Sequence, residues 1–172
     1  MKRIALILIS VIIIGTTGCL QKYDGTVDRE VFNHNGQARK YILYRPDNME
    51  RNAPLVFLLH GYFGTDDHAM NAYGMNDVAD QHGFAVCYPQ GLKDDNGVNH
   101  WNAGLTISDR DDVDFLKQLA LFLQQEHKLD ANRTFSCGMS NGGFMSYHLA
   151  CEASDVFRAV ASVTGTMSGA TW

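Results

Sequence analysis

The stretch Thr134-Phe135-Ser136-Cys137-Gly138-Met139-Ser140-Asn141-Gly142-Gly143 decides the fold. Residues 134–137 predict a short strand, and residues 141–153 predict a helix. Between them Gly138-Met139-Ser140-Asn141-Gly142 spells GxSxG in the strand–turn–helix setting that a nucleophile elbow requires. Such a turn is so sharp that flanking side chains would clash, hence a glycine two before and two after the serine. It lifts the serine hydroxyl above the sheet edge. It also aims the next backbone N–H and the helix N-terminus at a reacting oxygen. Ser140 is therefore the candidate nucleophile, and the Asn141 N–H a candidate oxyanion-hole donor. The bland reading is a glycine-rich turn with an idle serine. With 16 glycines in 172 residues the pattern alone is modest evidence, and its context carries the assignment.

Upstream, Leu55-Val56-Phe57-Leu58-Leu59 is a continuous apolar run, as expected of a strand buried on both faces of a parallel sheet. His60-Gly61-Tyr62 ends it, where a second oxyanion donor belongs in this kind of fold. The Tyr62 N–H is the candidate, with Phe63 the alternative, and His60 is expected to hold the loop. Residues 27–32 and 39–44 read as a hairpin about Asn35-Gly36. Residues 76–82 form a helix stopped by Gly83, and residues 84–88 a second buried strand halted by Pro89. A long polar loop, 89–108, carries Trp101, a candidate for lining a substrate cleft. The clearest helix covers 109–127, with Val113, Leu116, Leu119, Ala120 and Leu123 at helical spacing. Asp109, Asp111 and Asp112 stand at its N-terminus, where the helix dipole favours negative charge. Ala159–Val163 is the fourth central strand. Strands alternating with helices predict a mostly parallel α/β sheet.

Residues 1–18 read as an export signal. Lys2 and Arg3 precede an apolar run, 4–14, too short to span a bilayer. Small residues then lead to Cys19. The arrangement resembles a bacterial lipoprotein signal, with Thr16 where such signals usually carry Leu. It implies lipidation of Cys19, anchorage on the cell envelope, and a tether over 19–25. The alternative is an ordinary secretory signal, with a periplasmic or extracellular product. Residues 26–172 are then the folded part. Hydrophobic residues make up 45% of the chain and charged residues 19%, which argues against disorder. The net charge of −5 excludes a sequence-independent grip on nucleic acid. Cys87, Cys137 and Cys151 lie in apolar surroundings and are expected to be small buried residues. No CxxC pair or His/Cys cluster suggests a metal, and no motif suggests a cofactor.

From residue 39 to 166 the chain resembles the polyhydroxybutyrate depolymerase-like and feruloyl esterase-like branch of the α/β-hydrolases. The match rests on residues 41–45, Pro54 to Gly61, residues 79–90 (ADQHGFAVCYPQ), Gly91, Trp101-Asn102, residues 111–116 (DDVDFL), residues 138–145 (GMSNGGFM) and residues 159–167. The resemblance implies ester hydrolysis through an acyl-serine intermediate without a cofactor. It implies as substrates short hydroxyalkanoate polyesters, or acyl esters on plant cell-wall polysaccharide.

A serine nucleophile needs a base, and the base an orienting acid, in the order Ser, Asp or Glu, His for this fold. After Ser140 the chain offers His148, Glu152 and Asp155, so the order fails. His148 lies about 12 Å of helical rise from the serine, out of reach. It is expected to pair weakly with Glu152 on the helix surface. His34, His82 and His100 are poor substitutes, as are Asp66, Asp67, Asp111 and Asp112. The family supplies its acid after the next strand and its histidine after the last, both beyond Trp172. The chain therefore reads as an N-terminal portion of an esterase that lacks triad acid and histidine, cut after the strand that follows the elbow helix. Two other readings stand beside it. One is a catalytically degenerate, surface-anchored protein that binds a ligand in a cleft near Trp101 and Tyr62. The other is a serine peptidase of the same fold.

Overall fold

The computed structural model describes residues 23–167. The predicted signal and Cys19 lie outside them. Ten elements follow in chain order: β1 (Gly25–His34), β2 (Gln37–Pro46), β3 (Leu55–Leu59), α1 (Asp66–Ala72), α2 (Met75–His82), β4 (Ala85–Pro89), α3 (Asp112–Glu126), β5 (Thr134–Met139), α4 (Asn141–Glu152) and β6 (Ala159–Val163). The strands make one sheet in the order β1-β2-β4-β3-β5-β6. β4, β3, β5 and β6 run parallel, while β2 is antiparallel to β4 and to β1.

The hairpin closes where the sequence says it should. Asn35 and Gly36 both take positive φ (51° and 82°), as a two-residue primed turn requires. The strands it joins are longer than predicted, pairing from His34↔Gln37 out to Gly25↔Pro46. Tyr23 is already buried and packs on the Tyr44 ring at 5.7 Å between centroids. The end of the expected tether thus belongs to the fold, because an aromatic side chain there has apolar surface to cover.

The central strands are buried on both faces, and their residues alternate between two cores. Leu43, Leu55, Phe57, Leu59, Ala85 and Cys87 face one side, beneath Phe115, Leu116, Leu119 and Leu123 of α3 and Met145 and Leu149 of α4. Ile42, Tyr44, Leu58, Val86 and Tyr88 face the other, beneath Ala69 and Met70 of α1 and Ala79 of α2. Each buried Leu or Phe contributes about 1.5–3 kcal/mol, so these faces dominate stability. The period-two alternation also fixes the register.

Several expectations need correction. Left-handed Gly83 ends α2 as expected, but a further helix precedes it, α1, which starts where the Thr65 hydroxyl accepts from the His68 N–H. α3 begins at Asp112, because the Asp111 side chain caps it by accepting from the Asp114 N–H at 3.0 Å. β4 includes Pro89, and β5 continues to Met139. Cys87 is buried, but Cys137 is only partly so and Cys151 is exposed. Among the described residues no His148–Glu152 ion pair forms. No helix among them is long and apolar enough to cross a membrane.

Candidate active site

The carboxyl ends of β3, β4 and β5 meet at one edge of the sheet, and three loops converge there. Ser140 stands between β5 and α4 at φ 52°, ψ −117°. That is a positive φ at a residue with a side chain, an arrangement costing on the order of 1–3 kcal/mol that the surroundings must hold in place. They do so tightly. A Cβ at Gly138 would collide with the Gly142 backbone, and one at Gly142 with the carbonyl oxygens of Leu59 and His60. Only glycine fits at either position. On the far side the Ser140 N–H donates to the Val163 carbonyl of β6 at 2.8 Å. Ser140 itself remains partly exposed.

The loop after β3 lies against this elbow. A Cβ built on Gly61 would sit 3.4 Å from the Met139 carbonyl and 3.7 Å from the Ser140 Cβ. Of the two donors proposed from sequence, Phe63 is already used: its N–H donates to the Asn99 carbonyl at 3.1 Å. The Gly64 N–H is also taken, by the Gly61 carbonyl at 2.9 Å. The Tyr62 N–H has no acceptor among the described residues, and neither does the Asn141 N–H in the first turn of α4. Two backbone donors without an acceptor therefore stand at the residues that follow Gly61 and Ser140, on the two sides of the contact between this loop and the elbow. Tyr62, Phe63, Thr65, His68, Tyr73 and Met139 line a shallow depression of about 390 Å³ beside them.

His60 is buried and builds this loop. Its Nδ1 faces the Gly61 carbonyl at 2.8 Å, and its Nε2 accepts from the Gly91 N–H at 2.9 Å. Burial holds its pKa below the ordinary imidazole range. Trp101 corrects an expectation. It is fully buried, so it cannot line a cleft. Its indole N–H donates to the His60 carbonyl at 3.0 Å, and its ring packs against the imidazole, tilted by 37° at 5.0 Å between centroids. The Asn141 side chain grips the Trp101 backbone from both ends, accepting from its N–H at 2.6 Å and donating to its carbonyl at 3.0 Å. Sequence reasoning assigned Asn141 only its N–H and missed this amide clamp. The signal available was the Trp101-Asn102 pair in an otherwise polar loop.

No described residue completes a triad. His148 lies on α4 eight residues past the serine, and its Nδ1 is buried without a partner. His34 pairs with Asp114 at 2.7 Å, and His100 is buried against the Leu92 carbonyl and Ser108 hydroxyl. Asp112, read as a helix-dipole acid, is a buried partner of Arg39 at 2.6 Å and accepts from the Asn102 N–H at 2.8 Å.

A strained serine at a strand-to-helix turn, on a mostly parallel sheet with an antiparallel hairpin at its edge, defines an α/β-hydrolase. Residues 39–172 match the family described as Esterase PHB depolymerase, and the chain belongs to that family. It is 31% identical over 146 residues to feruloyl esterase D of Neurospora crassa, covering 77% of this chain and 47% of that protein. It is 32% identical over 123 residues to poly(3-hydroxyalkanoate) depolymerase C of Paucimonas lemoignei, covering 70% of this chain and 30% of that protein. The acetyl xylan esterase structure from Aspergillus awamori shares the fold, with a TM-score of 0.70 at 20% identity, over 84% of this chain and 54% of that one. The chain thus spans less than half the length of these curated relatives.

Proposed function

We propose that these residues are the nucleophile-bearing portion of an exported carboxylic-ester hydrolase. The observation that carries this reading is the strained Ser140, with the free N–H groups of Tyr62 and Asn141 beside it. In the proposed reaction the Ser140 Oγ bonds to the ester carbonyl carbon as its proton passes to a base. The carbonyl π pair moves onto oxygen, where the Tyr62 and Asn141 N–H groups hold the negative charge. Collapse breaks the C–O bond, and the departing alcohol takes the proton. Water then attacks the acyl-serine by the same route in reverse.

We assign the base and its acid to residues outside these 172. This rests on the lack of a candidate near Ser140 among the described residues and on the greater length of the relatives. The substrate is a short polyester or an acylated polysaccharide, the esters that the relatives' names indicate. Export and a lipid on Cys19 rest on residues 1–19 alone. They are checked by a mass shift of the mature protein that is lost in Cys19→Ser.

The test expresses the complete reading frame that encodes this chain. Ser140→Ala is expected to abolish both hydrolysis of p-nitrophenyl butyrate and labelling by a fluorophosphonate. Labelling or ester turnover that survives the substitution would refute the proposal, and cleavage of peptide but not ester substrates would redirect it to a peptidase.

A further inference from the structure

The oxyanion loop is held from outside by a small turn that contributes nothing else to the site. Residues 92–100 fold back on themselves. Lys93 bridges to Asn99, the Asp94 N–H donates to the Val98 carbonyl at 2.8 Å, and the His100 N–H donates to the Leu92 carbonyl at 2.9 Å. From this turn three hydrogen bonds reach the loop after β3. The Tyr62 hydroxyl donates to Asp94 Oδ2 at 2.6 Å, the Phe63 N–H to the Asn99 carbonyl at 3.1 Å, and the Asn99 Nδ2 to the Gly64 carbonyl at 3.0 Å. The other Asp94 oxygen accepts from the N–H groups of Asn96 and Val98, both at 2.9 Å. Asp94 is buried, and both of its carboxylate oxygens are hydrogen-bonded.

We propose that Asp94 and Asn99 are positioning residues for the reaction, setting the direction of the Tyr62 N–H through the Tyr62 hydroxyl and the Phe63–Gly64 backbone. The physical argument concerns rotation of a peptide plane. Phe63 sits at φ 67° and is 73% exposed, and its ring meets the Tyr62 ring edge-on at 4.6 Å, a contact within the loop that does not tie the loop to the rest of the fold. A left-handed residue in a loop that its own side chain does not tie down needs other restraints. The 61–62 peptide is held at its carbonyl by His60 Nδ1 and the Gly64 N–H, and anchoring the Tyr62 ring at its hydroxyl and the next two residues at their backbone fixes the chain on its other side. An oxyanion hole works only when its donors are aimed before charge develops, because no reorganisation is then needed. A carboxylate accepting a phenolic hydrogen is among the stronger hydrogen bonds available for that purpose.

This inference rests on the reading of Tyr62 as an oxyanion donor, and the experiment separates the two. In the product of the complete reading frame, Tyr62→Phe removes one oxygen and keeps the backbone N–H. It is expected to lower kcat on p-nitrophenyl butyrate about tenfold, with KM within twofold and an unchanged thermal midpoint. Affinity for an alkyl boronate, which mimics the tetrahedral oxyanion, is expected to fall in parallel. Asp94→Asn, whose amide still pairs with the Tyr62 hydroxyl but without the charge, is expected to show a smaller loss in the same direction. The double variant is expected to lose no more than Tyr62→Phe alone, because Asp94→Asn acts through the same hydrogen bond that Tyr62→Phe removes. Unchanged kcat and boronate affinity in Tyr62→Phe, with Ser140→Ala inactive, would overturn the positioning role alone. Full activity in Ser140→Ala would overturn the hydrolase reading beneath it. Additive losses would also count against the clamp.

Discussion

At the scale of single residues, this site depends on histidine as an acceptor. His60 Nε2 accepts from the Gly91 N–H, and the Gln90 amide stands 3.1 Å away. A proton on Nε2 would leave both donors facing a third. Burial accordingly keeps the folded pKa low, as it does for His127. The unfolded chain takes up these protons near pH 6.5, the folded chain only at lower pH. Between those values the unfolded state binds more protons, so stability is complete above about pH 6.5 and declines as pH falls through that region. The urea midpoint is expected to be lower at pH 5.5 than at pH 8, with a smaller drop in His60→Gln. Equal drops in parent and variant would rule out His60 as the source. The roles proposed for Ser140, Asn141 and Tyr62 rest on position in the sequence, because the elbow motif and the loop after β3 name backbone donors by position. The burial of Trp101 could not. An aromatic residue in a polar loop looks like a ligand contact until the Asn141 amide and the His60 carbonyl, 40 and 41 residues away in sequence, are seen to claim its polar atoms.

At the scale of elements, the sequence placed strands and helices well where periodicity governs and less well where side chains set the ends. α3 shows why. Three acids precede its apolar stripe, and periodicity cannot say which one caps. Asp111 does, while Asp112 turns inward to Arg39. That pair is buried at both ends, 1% and 0% exposed, with the guanidinium also 3.6 Å from the centre of the Phe115 ring. It links β2 to α3 and, through the Asn102 N–H, to the loop that carries Trp101. Removing one partner of a buried pair leaves an uncompensated charge and costs about 3–5 kcal/mol. Removing one partner of an exposed pair such as Arg29–Asp67, 54% and 58% exposed, costs at most about 1 kcal/mol. Asp112→Ala is therefore expected to lower unfolding free energy several-fold more than Asp67→Ala in the same denaturant titration. Similar losses would mean that Asp112 serves only as a helix-terminal acid.

At the scale of the whole molecule, the sheet is a scaffold that carries the strained Ser140 at one edge and whose support is uneven. On one side of Ser140 stand β3 and β4, buried on both faces and covered by helices. On the other stands β6, whose residues alternate between exposed and half-buried and whose Val163 is 57% exposed. Among the described residues β6 pairs only with β5, so its outer row of N–H and carbonyl groups and its Ala-Val-Ala-Ser-Val run form an apolar edge. Such an edge is a template for another strand, and the simplest strand available in solution is the same one in a second molecule. The 172-residue chain alone is therefore expected to self-associate at micromolar concentration. A charge at the edge should oppose this without touching the elbow, since Val163 holds the Ser140 N–H through its backbone carbonyl. Val163→Lys is expected to shift the sedimentation profile toward monomer at constant thermal midpoint. If the parent chain already sediments as a monomer, or if the lysine leaves its association unchanged, the β6 edge is not the surface through which the molecules meet.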